Sequence, residues 1–95
     1  MDLKKDFIQK YEKLTSIQPV PSSLGIAKDG NFYWLYYAGM GQTEYHKLPD
    51  MEQKIAEELC DEEWLKRNGE IYKIPVLGKD SLLGEVRFEI FDCHK

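Results

Sequence analysis

The sequence predicts an α+β protein in which an antiparallel sheet of about five strands carries two helices on one face, in the order α-β-β-β-α-β-β. Three observations lead there. Asn31-Phe32-Tyr33-Trp34-Leu35-Tyr36-Tyr37 is an aromatic run with Asp29-Gly30 before it and Gly39-Met40-Gly41 after it, which is the composition and punctuation of a strand. Two separate segments place apolar residues at helical spacing on one side only. Near the C-terminus, Val86, Phe88 and Ile90 alternate with Glu85, Arg87 and Glu89, the period of a strand with one buried face. The 95 residues read as one domain, long enough for a modest core without metal or disulfide staples.

In chain order, Asp2 can cap a first helix ending near Thr15, whose Leu3, Phe7, Tyr11 and Leu14 lie on one narrow stripe. The prolines of Ile17-Gln18-Pro19-Val20-Pro21 end it and make a connector. Leu24–Lys28 is a short strand, and Asp29-Gly30 signals a two-residue hairpin that would set Lys28 opposite Asn31, Ala27 opposite Phe32 and Ile26 opposite Tyr33. Both parities of 31–37 are apolar, as in a central strand with both faces at least partly covered. Gly39-Met40-Gly41 turns the chain into a third strand, Gln42–Leu48, completing a meander.

Pro49-Asp50 opens the second helix, with Asp50 as N-cap and Gln53 at N3 in a capping-box pattern. Met51, Ile55 and Leu59 form one stripe, and Ala56, Cys60 and Trp64 another. Glu62 falls back on the first stripe, so a break is expected near Cys60, with Asp61 as a second N-cap and a short turn through Trp64 and Leu65. Lys66 and Arg67 would then meet the negative helix end, and Asn68-Gly69 would supply the left-handed stop. Glu70–Leu77 is a strand whose Pro75 implies an edge or a bulge. Gly78-Lys79-Asp80-Ser81 turns it into the last strand, Leu83–Phe91.

Composition narrows the function. The formal charge is −4, and residues 50–70 hold eight acids against three bases, leaving the rest near neutral. There is no basic stripe to collect phosphates, which disfavours nucleic acid as a partner. No apolar run approaches the roughly 20 residues that span a bilayer, and the charged N-terminus is not a secretory signal. Cys60 and Cys93 lack CxxC spacing and read as reduced thiols of a cytosolic protein. No cofactor or metal motif is present, and the two histidines, His46 and His94, are not paired with a nucleophile and an orienting acid. Glu57-Glu58 and Glu62-Glu63 are neighbours on a helix, a solvated acidic face first and a steering surface for a basic partner second.

The element order with an acidic second helix is similar in layout to small secretion-chaperone-like domains; the likeness is one of order, without a shared motif and without their closing helix, so no residue roles follow from it. The aromatic run gives the sharpest functional expectation. One face of 31–37 is core, and the other would expose large amphipathic side chains of the kind enriched at protein interfaces. The leading expectation is a protein-binding module of inhibitor, immunity, phage-accessory or chaperone-like type. It would use Tyr33, Tyr37 and Tyr45 on the sheet with Glu57 and Asp61 on the helix. Two alternatives stand beside it: a small-molecule site or minimal enzyme with a cleft lined by Tyr33, Tyr37 and His46, and a dimeric structural module joined through the open sheet.

Overall fold

A computed structural model describes residues 2–39, 42–78 and 81–93. Two helices and a five-stranded antiparallel sheet follow in the order α1 (Leu3–Thr15), β1 (Ser23–Ala27), β2 (Phe32–Gly39), β3 (Gln42–Lys47), α2 (Asp50–Asp61), β4 (Leu65–Gly78) and β5 (Ser81–Cys93). The spatial order is β3-β2-β1-β5-β4. The aromatic strand β2 is interior, as its two apolar faces require, but the middle strand is the short β1.

Asp2 caps α1 by accepting from the N–H groups of Lys4 (3.1 Å) and Lys5 (3.2 Å). Phe7 and Tyr11 are buried from that helix, each worth about 1.5–3 kcal/mol of removed apolar surface. With Ile55, Ala56 and Leu59 of α2 they cover one side of the sheet, formed by Leu24, Phe32, Trp34, Leu65 and Phe91. Tyr11 fits under this layer because its hydroxyl donates to the Phe91 carbonyl at 3.3 Å; burial, first, holds that hydroxyl well above the usual phenol range.

The first hairpin forms where Asp29-Gly30 places it, one residue out of the expected register. Ile26 pairs with Phe32, Gly25 with Tyr33 and Leu24 with Trp34. Gly30 N–H donates to Ala27 C=O, Ala27 N–H donates to Asn31 C=O, both at 3.0 Å, and Gly30 has φ +85°. This is a type I turn closed by a left-handed glycine, a three-residue loop. Asn31 N–H reaches the Asp29 carboxylate at 2.8 Å and fixes the longer loop that the dipeptide alone does not reveal.

The capping box at α2 does not form. Pro49 is the N-cap and makes no side-chain cap bond, so Asp50 is already helical. Gln53 goes inward instead. Its Oε1 accepts from Phe32 N–H (2.8 Å), and its Nε2 donates to Phe32 C=O (2.9 Å) and Leu48 C=O (3.0 Å). Satisfying three buried backbone groups outweighs capping a solvated helix end.

The break after Cys60 is real, but no helix follows it. Trp64 N–H donates to Leu59 C=O (2.9 Å) and Glu63 N–H to Cys60 C=O (3.0 Å), with Glu63 at φ +63°. This pair of bonds is a Schellman motif with a glutamate where glycine is usual. Asp61 ends the helix rather than starting one, and Glu62 leaves the apolar stripe to pair with Lys4 of α1. Lys66 and Arg67 therefore lie on β4, and Asn68-Gly69 lies in a register shift between Arg67 and Ile71, with Gly69 at φ +88°. A second shift flanks Pro75, as the proline implies. Gly78 pairs with Ser81; Lys79 and Asp80 of that turn, Met40 and Gly41 of the other, and His94 lie outside the described residues.

Candidate functional site

The helices leave the second side of the sheet uncovered, and the strand register decides what stands there. β2 contributes Tyr33, Leu35 and Tyr37. β3 places Lys47 opposite Tyr33, Tyr45 opposite Leu35 and Thr43 opposite Tyr37. β5 contributes Val86, Phe88 and Ile90, and β4 sets Tyr72 opposite Phe88 and Ile74 opposite Val86. Thus the cleanest alternating strand in the sequence points its apolar side away from the helices. Leu35, Ile74, Phe88 and Ile90 form a second buried cluster there, with Ala27, Tyr33 and Val86 packed against it.

Gly25 makes this floor possible. It pairs with Tyr33 on one side and Ile90 on the other, and a β-carbon there would stand 3.0 Å from Phe88 Cβ and 3.3 Å from Ile90 Cδ1. Without that atom Phe88 packs across β1. Its ring centroid lies 5.2 Å from Tyr33 and 5.4 Å from Tyr45, and the two tyrosines are 5.9 Å apart, so three rings close on one another. Phe88 is fully buried, whereas Tyr37, Tyr45 and Tyr72 remain 49 %, 38 % and 39 % exposed. The surface is a dry apolar floor roofed by tyrosine rings.

Its rim is fixed by the hairpin loop. Tyr33 Oη donates to Asp29 at 3.2 Å. Burial first, and then that carboxylate, pushes the Tyr33 hydroxyl up. The Asn31 backbone N–H, ahead of its side chain, the Tyr33 hydroxyl and Lys47, holds the Asp29 carboxyl below the ordinary range against slight desolvation. Each group keeps the other in the state that makes the bond.

The structure therefore puts Tyr33, Tyr37 and Tyr45 on one face of the sheet, and Tyr72, opposite Phe88, joins them there. It does not bring Glu57 and Asp61 to them. Those two line a depression of about 320 Å³ on the helix side, with Cys60, Arg67, Phe32 and Phe91. Burial, then the acids Asp61 and Glu57, push the Cys60 thiol up against the pull of Arg67, the opposite of what a thiolate nucleophile needs. His46 also separates from the tyrosines: it pairs with Trp34 and its ring meets Tyr36 at 5.3 Å on the helix side. The cleft of Tyr33, Tyr37 and His46 is not assembled. Among the described residues, no group of three or more His, Cys, Asp or Glu side chains is placed to hold a metal, and no helix is long and apolar enough to cross a membrane.

Comparison with family models, with curated proteins and with solved structures finds no match. The chemistry of this face is thus what there is to reason from. Among the described residues it offers apolar area with phenol hydroxyls at its edge, and Asp29 and Lys47 are the charged groups placed beside Tyr33.

Proposed function

We propose that this chain is a small protein-binding module that receives its partner on the tyrosine-roofed face of the sheet. One observation carries the reading: the side away from the helices has a buried floor of Leu35, Phe88 and Ile90 whose cover is half-exposed tyrosine. A sheet face that only meets water is served by short polar and charged residues. Tyrosine provides large rigid contact area with few rotatable bonds, and a hydroxyl that accepts either water or a partner's polar atom. A flat surface of this kind fits the apolar patch of a folded protein better than a small molecule, which needs a cleft. The acids Glu57 and Asp61 act at a distance, since the −5 carried by residues 50–70 favours approach of a partner with a basic surround.

The test is the double substitution Tyr37→Ser/Tyr72→Ser, which leaves the ring trio of Tyr33, Tyr45 and Phe88 in place. Both side chains are well exposed, so the melting temperature should stay within about 3 °C of the parent, because exposed substitutions cost little. Proteins retained by the parent and not by the variant identify the partner, and titration of the purified partner should show a loss of about tenfold or more. Equal affinity for both forms refutes the reading. So does a melting point lowered by about 8 °C or more, which would make these rings core rather than surface.

A further inference from the structure

The two edges of the sheet are built differently. β4 is interrupted twice, by the register shift around Gly69 and by the one beside Pro75, which are devices that stop a strand edge from pairing. β3 has neither. From Thr43 to Lys47 it pairs residue for residue with β2, contains no proline, and among the described residues pairs with no other strand. The phase of its ladder follows from one bond: Leu48 N–H donates to Phe32 C=O at 3.1 Å. Antiparallel alternation then turns the backbone groups of His46 and Glu44 toward β2 and those of Lys47, Tyr45 and Thr43 outward.

From this we infer that β3 joins two copies of the chain, edge to edge, about a two-fold axis through Tyr45, making one continuous ten-stranded sheet. The outward groups fit that axis. Tyr45 faces Tyr45 of the second copy and exchanges two backbone bonds with it, and each Thr43 faces a Lys47 and exchanges two more. The side chains agree. Glu44 stands opposite His46 of the second copy, in both directions, and no like charges oppose. Sliding the pairing two residues one way sets Glu44 against Glu44; sliding it the other way sets Thr43 against Pro49, which has no N–H to give. The sequence of this edge thus selects a single register and a partner identical to itself. In that assembly the tyrosine faces of both copies run together across the axis. The inference holds whether or not that face binds a further protein.

Light scattering across a concentration series, from micromolar to millimolar chain, tests it. The parent should pass from 11.2 kDa toward twice that mass. Thr43→Pro removes an outward N–H on an edge strand, where proline is tolerated, and should leave a folded monomer by circular dichroism. His46→Glu sets carboxylates against Glu44 in two places and should weaken association about tenfold. The double variant Glu44→Lys/His46→Glu sets opposite charges against each other in both places and should recover it. A parent that stays at 11.2 kDa throughout overturns the inference. A dimer that His46→Glu leaves at full strength overturns it equally, and that arm remains decisive if Thr43→Pro fails to fold.

Discussion

Gln53→Leu and Gln53→Glu isolate the contact that ties α2 to the sheet. Gln53 is 9 % exposed and its amide serves three backbone groups at 2.8–3.0 Å. Phe32 C=O keeps a second donor in Leu48 N–H, so leucine at this position orphans two groups, Phe32 N–H and Leu48 C=O. At about 1–3 kcal/mol for each buried unsatisfied group the two sum to roughly 2–6 kcal/mol, and the apolar surface leucine buries brings the net loss to roughly 2–5 kcal/mol. For a chain of this size that lowers the melting temperature by roughly 10–25 °C. Glutamate is the finer probe. It can still accept from Phe32 N–H, but when ionised it faces two carbonyls and donates to neither. Burial and those carbonyls raise the folded pKa of the introduced carboxyl above its unfolded value. Its contribution is then fully present below the unfolded pKa and is lost as pH rises through the folded one. The deficit of Gln53→Glu against the parent, measured by urea unfolding at each pH, should shrink from pH 7 to pH 4.5. A Gln53→Leu variant within about 0.5 kcal/mol of the parent would refute the account, since ordinary surface changes fall in that range. A pH-independent deficit for Gln53→Glu would refute its electrostatic half.

Glu63→Gly should stabilise the protein by about 0.5–1 kcal/mol: it relieves the cost of a left-handed glutamate and gives part of the gain back as unfolded-chain freedom. A thermal melt decides the sign. Gly25→Ala should destabilise by about 1–3 kcal/mol, since the new methyl meets Phe88 Cβ at 3.0 Å in the middle of the sheet. Its second signature is a changed near-ultraviolet dichroism from the displaced ring trio of Tyr33, Tyr45 and Phe88. Asp29 has a depressed pKa, so the stability it contributes is present above the ordinary carboxyl range and is lost as pH falls through its folded value. Asp29→Asn should accordingly flatten the acid limb of the stability–pH curve, and an unchanged limb would remove Asp29 from it.

The element order and the interior position of the aromatic strand were legible because both rest on periodicity, which burial enforces directly. The departures are all local choices between competing hydrogen-bond partners. Asp29-Gly30 marks a hairpin, but the loop length was set by Asn31 N–H reaching the Asp29 side chain. Asp50 and Gln53 have capping-box spacing, yet Gln53 found Phe32 of β2, 21 residues away, together with Leu48 just past the end of β3. Asn68-Gly69 looks like a helix stop because those residues favour left-handed backbone; here that preference serves a strand shift, while Glu63 takes the strained position at the helix end. Alternation puts Tyr33 and Tyr37 on one face of β2, but Phe32, Trp34 and Tyr36 make the other face as aromatic, so which face lies open was not legible. Phe88 and Ile90, the floor of the open face, were assigned to a face only once β5 was seen beside β1, a long-range pairing that no local pattern encodes.

The two sides of this sheet also differ in how they exclude water, and that difference bears on function. The helix side is closed by a second layer, and Trp34 is so fully enclosed that its Nε1 is buried without a hydrogen-bond partner among the described residues. Among the described residues the other side has no second layer, yet Phe88 is as completely buried as anything under the helices. Tyrosine achieves this with its ring edge-on to the floor and its hydroxyl at the rim, as Tyr33 does against Asp29. Such a roof is stable in water but leaves much of its own apolar area exposed, so a partner that covers it gains burial with little side-chain ordering left to complete. Glu57 and Asp61, across the sheet from that roof, are not positioned to touch the same partner. At physiological salt their field decays over about 8 Å. On the proposed reading they would set how fast a basic protein arrives, and the tyrosines how long it stays.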